Sequence, residues 1–174
     1  MSHTDAVLAL LARSSPEHRV LCLDGRAGTG KSTLAAAIAA ETPATVVHTD
    51  DLCPGWDGLA QVPDLLAALV APLAAGRTGS YRRHDWIAGR PGGEVLVEPA
   101  DLVIVEGVGA GSRALRPWRS ALVWLEAPLD QRRGRALARD GEAFAPFWDV
   151  WAAAEESYLA GDADRDAADL ILRT

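Results

Sequence analysis

Short runs of consecutive apolar residues alternate along this chain with longer stretches in which apolar residues recur every three or four positions. The runs are Arg19-Val20-Leu21-Cys22-Leu23-Asp24, Thr45-Val46-Val47-His48, Leu102-Val103-Ile104-Val105, Ala121 to Leu125 and Leu170 to Leu172. Unbroken apolar runs of that length read as strands buried on both faces, as in a parallel sheet. Between them the spacing predicts helices. An opening helix runs through Val7, Leu8, Leu10 and Leu11 with Thr4 as its cap, and another covers Leu34 to Ala40. A third starts at Pro63 and turns Leu65, Leu66, Leu69, Val70 and Leu73 inward. Two more span about Leu129 to Arg139 and Phe147 to Leu159. Tyr81 to Ile87 and Glu94 to Glu98 flank Gly89-Arg90-Pro91-Gly92-Gly93, which predicts a β-hairpin turning at those glycines. Strands alternating with helices predict an α/β fold whose five-stranded, mainly parallel sheet is covered on both faces. Ligands of such sheets sit at the carboxyl ends of the strands.

The chain has 174 residues, 49% of them hydrophobic, which suits a single domain over residues 1–174 with a substantial core. A net charge of −7 argues against a broad nucleic-acid surface. No apolar run is long enough to cross a membrane, and the N-terminus lacks a basic region followed by a hydrophobic core. Two cysteines, Cys22 in a core strand and Cys53 in a loop, make no disulfide framework and fit a reducing cytoplasm.

Lys31 is the one lysine of the chain; every other basic side chain is arginine. It sits in Gly25-Arg26-Ala27-Gly28-Thr29-Gly30-Lys31-Ser32, which reads G-x-x-x-x-G-K-S, the phosphate-cradling Walker A loop. A strand precedes it and a helix follows. The glycines let successive N–H groups face one point, and the helix adds its positive dipole end, so a phosphate is stabilised there. Gly25, Ala27, Gly28, Thr29, Gly30, Lys31, Ser32 and Thr33 are therefore the expected contacts of ATP. Lys31 reaches the β- and γ-phosphates, and the Ser32 hydroxyl ligates Mg²⁺.

The other polar residues of interest stand at the same ends of the strands. Glu106 follows four apolar residues and precedes a glycine, so it is expected at the metal ion, directly or through water. Asp50 and Asp51 end the second strand and point in different directions; Asp50 is the expected base for an acceptor hydroxyl. Gly107 to Ser112 reads as a mobile loop beside Glu106, with Arg113 reaching the acceptor side. Arg132, Arg135 and Arg139 share one helical face, whereas Arg133 points elsewhere. Of six tryptophans, Trp124, Trp148 and Trp151 read as packing, while Trp56 and Trp86 lie toward the acceptor.

Leu23 to Thr33, the aspartate after the second strand and the apolar run into Glu106-Gly107 together resemble the uridine kinase and phosphoribulokinase branch of P-loop kinases. More broadly they resemble small bacterial kinase-like ATPases. The resemblance implies the P-loop NTPase fold, three α/β/α layers with a hairpin insertion and a helical lid. It also implies that Asp50 is the catalytic base, since Asp50-Asp51-Leu52-Cys53 matches the pattern that follows the second strand in that family. Cys53 stands where the family places an aromatic residue, which points away from uridine itself. Tyr81-Arg82-Arg83-His84-Asp85-Trp86 is a loose counterpart of the family's substrate-contacting hairpin. The substrate set expected is thus Asp51, Trp56, Tyr81, Arg83, His84 and Asp85, with Arg82 and Arg83 pointing to a more anionic or otherwise different acceptor. The lid of such kinases carries arginines over the triphosphate; Arg135 and Arg139 take that catalytic role here, and Arg132 a nucleotide contact. Self-association is common among such kinases, and the sequence leaves this chain's oligomeric state open.

The expected activity is transfer of the ATP γ-phosphate to a hydroxyl of a small molecule, nucleoside-like or another metabolite. A nucleoside monophosphate kinase, and a regulatory ATPase without an acceptor, are the two alternatives. A guanine-reading Asn-Lys-x-Asp run is excluded, because the single lysine lies elsewhere.

Overall fold

Alternation within one strand sets the layers of the molecule. In the computed structural model, which describes residues 2–13 and 19–174, the strand β1 (Arg19–Asp24) lies at the centre of a five-stranded sheet. Its neighbours are β5 (Leu102–Glu106) and β6 (Ala121–Glu126), with β2 (Ala44–His48) beyond β5 and β7 (Leu170–Arg173) beyond β6. Every pairing in this sheet is parallel, so all five strands end at one edge. Val20 and Cys22 face one side of it, and Leu21 and Leu23 the other.

Each side has its own helical cover. Helices α1 (His3–Leu11) and α2 (Lys31–Glu41) bring Val7, Leu11, Leu34, Ala35 and Ile38 onto Leu21, Leu23, Ile104, Val123 and Leu125. On the opposite face α4 (Val62–Ala74) and α6 (Trp148–Gly161) cover Val20, Cys22, Val103, Val105, Leu122 and Trp124. Leu66, Leu69, Val70 and Leu73 are the inward stripe of α4. Fully burying one such leucine stabilises the fold by about 1.5–3 kcal/mol. A single turn, α3 (Thr49–Leu52), follows β2. The helix α5 (Leu129–Asp140) follows β6, and an antiparallel pair, β3 (Gly79–Asp85) with β4 (Arg90–Val97), stands apart from the main sheet. Among the described residues no helix is long and apolar enough to cross a membrane.

The structure departs from the sequence pattern in five places, each for a local reason. The cap of α1 is Ser2: its Oγ accepts the Asp5 N–H at 3.1 Å and the Asp5 carboxylate accepts the Ser2 N–H at 2.8 Å, leaving Thr4 inside the helix. Leu65 is 40% exposed, because it lies one position off the stripe that starts at Leu66. The hairpin turns at Trp86 to Gly89 and not at the later glycines. Asp85 Oδ1 accepts the N–H groups of Ile87 and Ala88, and Gly89 closes the turn at φ +61°, so Arg90 to Gly93 extend as strand. Asp50 and Asp51 lie in the α3 turn, not at a strand tip. The expected mobile loop from Gly107 to Ser112 is buried throughout, with the Gly111 N–H donated to Asp24 at 2.7 Å.

That buried loop is tied down by an ionic knot. Asp164 lies between α6 and β7, almost fully buried, and accepts hydrogen bonds from Arg116 and Arg119. Its backbone N–H binds the Gly111 carbonyl at 3.0 Å. The Arg116 hydrogen bond, and after it Arg119, outweigh burial and hold the Asp164 carboxyl down at about 2. The folded carboxylate thus binds a proton less tightly than the unfolded one, whose ordinary value is about 3.9. The stability it contributes is complete above that ordinary value and is lost as pH falls from about 4 through about 2. Denaturant midpoints of wild type and Asp164→Asn, measured from pH 5 to pH 2, should converge toward the acid end; an equal gap at every pH would contradict this assignment.

Candidate active site

Because the strands run in parallel, β1, β2 and β5 release their next residues side by side. The loop after β1 carries the glycines. Gly30 enters α2 at φ +88°, and Lys31 is the first residue of that helix. The Lys31 ammonium, 7% exposed, donates to the carbonyls of Gly25 (2.7 Å) and Arg26 (2.9 Å), so it is seated on its own loop. Thr29 folds inward and its hydroxyl donates to the Arg26 carbonyl at 2.9 Å. Ser32 and Thr33 stay exposed at the mouth of the cleft. Asp24, fully buried below the loop, accepts from Gly25 N–H and from the Tyr158 hydroxyl at 2.6 Å. Burial pushes its carboxyl up, against the pull of these donors and of Lys31.

The parallel register sets His48 beside Glu106, the last residues of β2 and β5. His48 Nδ1 lies 2.5 Å from a Glu106 carboxylate oxygen. That hydrogen bond outweighs burial, which acts to lower it, and with the charge of Glu106 raises the His48 imidazole. Burial works to raise Glu106 in turn, but His48, Lys31 and the Ser32 hydroxyl outweigh it and hold it below the ordinary value. Glu106 is therefore an anion beside the lysine. Among the described residues no cluster of three His, Cys, Asp or Glu side chains makes a self-sufficient metal site. One hydroxyl and one carboxylate do fit Mg²⁺, a hard cation that keeps water and phosphate oxygens as its other ligands.

A cleft of about 910 Å³ runs from this loop to the hairpin turn at Trp86 and Ile87. Lys31, Ser32, Asp50, Asp51, Glu106 and Arg139 line it, and Trp56, Trp86, Phe144, Phe147 and Trp151 form its apolar wall. Trp56 stacks on Phe147 with ring centres 4.6 Å apart and meets Trp86 at 4.8 Å. The Trp86 indole N–H donates to the Asp50 carbonyl at 2.9 Å, which fixes the α3 turn under the hairpin. The adjacent aspartates have different surroundings. Asp51 accepts from Arg83 at 2.6 Å and from the Tyr81 hydroxyl at 3.2 Å. Asp50 stays solvent-accessible and turns into the cleft, where the enclosing walls and then the charge of Glu106 raise its carboxyl, with Lys31 and Arg139 opposing.

The structure does not bring every expected residue to the cleft. Tyr81 and Arg83 reach it only through Asp51. His84 meets the edge of Trp86 behind the cleft wall, and Asp85 caps the hairpin turn. Arg113 lies on the other flank of the loop and donates to the Gly161 carbonyl. On α5, Arg132 is buried against the loop, donating to the carbonyls of Ala127 (3.1 Å) and Ala27 (3.4 Å). Arg135 lines the cleft and donates to Thr174 Oγ1, while Arg139 is paired with Asp140 at 2.6 Å. Both cysteines are free and buried, and burial pushes each thiol up to about 12. Sequence reasoning missed His48, whose signal was its place as the last residue of a strand. It also missed Glu155 and Tyr158, two polar residues on the buried face of α6 beside Trp151.

No protein-family model and no curated protein matches this chain. Solved structures do. A structure described as a possible uridine kinase from Bacillus stearothermophilus superposes with a TM-score of 0.69 at 20% identity, over 97% of this chain and 96% of that one. A putative fructose transport system kinase from Silicibacter sp. TM1040 gives 0.62 at 24% identity, over 97% and 96%. Shikimate kinase from Acinetobacter baumannii, in complex with shikimate, gives 0.56 at 15% identity, over 95% and 87%. The chain therefore has the P-loop NTPase fold.

Proposed function

We propose that this protein is an ATP-dependent kinase that moves the γ-phosphoryl group of Mg²⁺·ATP to a hydroxyl of a small molecule. The observation that carries the reading is the unlike engagement of the two aspartates. Asp51 is neutralised by Arg83, whereas Asp50 presents its carboxylate to the same cleft as Lys31 and Glu106. The kinase folds above support it, as does the loop whose lysine is unique in the chain.

When bound, the triphosphate supplies the phosphoryl group, and Mg²⁺ offsets charge on its oxygens. Ser32 and Glu106 would hold the metal. Lys31, now on the Gly25 and Arg26 carbonyls, would hold phosphate oxygens, with Arg135 and Arg139 of α5 lining the same cleft. The Asp50 carboxylate accepts the proton of the acceptor hydroxyl; its raised affinity for a proton makes it a better base than an ordinary aspartate. The aromatic wall keeps water from the reacting oxygens and packs against the acceptor. A second groove of about 1380 Å³, on the other flank of the loop beside Thr29, Arg132 and Thr174, offers room for the base of the nucleotide.

The same geometry disfavours a phosphate-bearing acceptor. Arg83 is occupied by Asp51, and Arg135 and Arg139 are assigned to the triphosphate, so the acceptor side is aromatic and acidic. We accordingly favour a hydroxyl acceptor over a nucleoside monophosphate. Free thiols and ATP use accord with a cytoplasmic protein.

ADP release should rise when purified protein and Mg²⁺·ATP meet one member of a panel of nucleosides, sugars and hydroxyl-bearing vitamins. Slow hydrolysis that no panel member accelerates would favour the regulatory ATPase instead. With the accelerating acceptor in hand, Asp50→Asn should lower turnover by roughly 10²–10⁴; a near-normal rate removes Asp50 as the base. Lys31→Arg should abolish most transfer, because the loop receives a compact ammonium and not a planar fork. Wild-type turnover in that variant would sink the assignment of the loop.

A further inference from the structure

Helix α6 presents Trp151, Glu155 and Tyr158 on one face, spaced four and three apart and each at most 6% exposed. Trp151 lines the acceptor side of the cleft. Tyr158 donates to Asp24, the residue before the glycine loop. Glu155 stands between them and enters the loop itself. One of its oxygens accepts the backbone N–H of Ala27 at 2.6 Å and the indole N–H of Trp151 at 3.1 Å. The other faces Arg26 at 3.8 Å and Arg132 at 4.0 Å.

A carboxylate so near a phosphate loop is at first sight misplaced, since it repels the anion the loop is built to hold. Two features account for it. Arg26 and Arg132 offset its charge, and a carboxylate is a stronger acceptor for an amide than any neutral side chain. The bond it makes holds the third residue of the loop, immediately before Gly28 turns the chain at φ +79°. With Asp24 held by Tyr158 and Ala27 by Glu155, the loop is fixed from α6 at its start and near its middle.

We propose that Glu155 is a positioning residue for the phosphate loop: it acts through the Ala27 amide to hold the loop in its nucleotide-receiving shape before any nucleotide arrives. The role rests on the nucleotide-binding reading above only for its purpose; the contact itself joins two residues of this chain. Removing the side chain leaves the Ala27 and Trp151 donors without their acceptor, and the loop loses its tie to α6. Glu155→Gln keeps a carbonyl oxygen for Ala27 but loses the charge that faces the two arginines, so it falls between wild type and Glu155→Ala.

The deciding experiment is amide hydrogen exchange on the nucleotide-free protein, with Mg²⁺·ADP affinity by calorimetry alongside. In Glu155→Ala, exchange over residues 25–33 should quicken about tenfold or more while residues 102–106 of β5 stay unchanged. Mg²⁺·ADP affinity should fall by about tenfold in the same variant and less in Glu155→Gln. Glu156→Ala, which removes only the exposed partner of Arg26, should stay within about twofold of wild type in both readouts. Loop exchange and affinity both within about twofold of wild type in Glu155→Ala would overturn the proposal, as would exchange that quickens equally in β5. Should the alanine variant not fold, the glutamine variant decides on the same two readouts. If wild type fails to bind Mg²⁺·ADP, the nucleotide reading falls, and the exchange arm still judges Glu155.

Discussion

The whole site depends on two places where backbone approaches backbone too closely for any side chain. At Gly25 (φ +140°) a Cβ would stand 2.2 Å from the carbonyl oxygen of Leu125, at the end of β6. At Gly28 (φ +79°) a Cβ would stand 2.2 Å from the carbonyl oxygen of Arg132, in α5. The loop is thus wedged between the central sheet and α5, and only glycine passes at either point. This wedge sets how near the arginines of α5 lie to the lysine. It also explains why Arg132 is buried against the loop instead of reaching outward: its own peptide group is part of the wall.

A polar layer beneath the loop converts that tight fit into a fixed site. Asp24 gathers Gly25, Gly111 and Tyr158, Glu155 gathers Ala27 and Trp151, and Asp164 gathers Arg116 and Arg119. Each carboxylate is buried and accepts at least two hydrogen bonds, and buried polar groups so satisfied rigidify a fold instead of weakening it. The glycine-rich segment after β5 is held by this layer as firmly as a strand, so Glu106 is presented from a rigid edge. Gly107 adds to this: a Cβ there would fall 1.8 Å from the Thr49 hydroxyl, so the end of β5 and the α3 turn share one tight contact.

Much of this was legible in the chain, and what was not has a common cause. Strands buried on both faces announce themselves as apolar runs, and β1 begins and ends where its run does. The loop and Glu106 follow from position, since the ends of parallel strands converge. The hairpin turn was misplaced because two glycines and a proline outweighed Asp85, whose short side chain builds the turn through two backbone N–H bonds. Leu65 was misplaced by a single step around α4. Glu155 and Tyr158 were illegible for a deeper reason: their partners lie about 130 positions away in the chain, Ala27 and Asp24, and no local spacing encodes that contact. The division of labour between Asp50 and Asp51 likewise came from outside, from Arg83 across the hairpin.

The single lysine carries a consequence of another kind. With one ε-amine in the whole sequence, amine-directed chemistry has a single side-chain target, and that target sits in the glycine loop. Its seat on two loop carbonyls shields it, since all but 7% of Lys31 is covered and two of its three N–H donors are engaged. The rate at which a small acylating reagent reaches this nitrogen therefore reports how often the loop lets its lysine go. Composition alone thus makes acylation a chemical clock on the motion of this one loop atom.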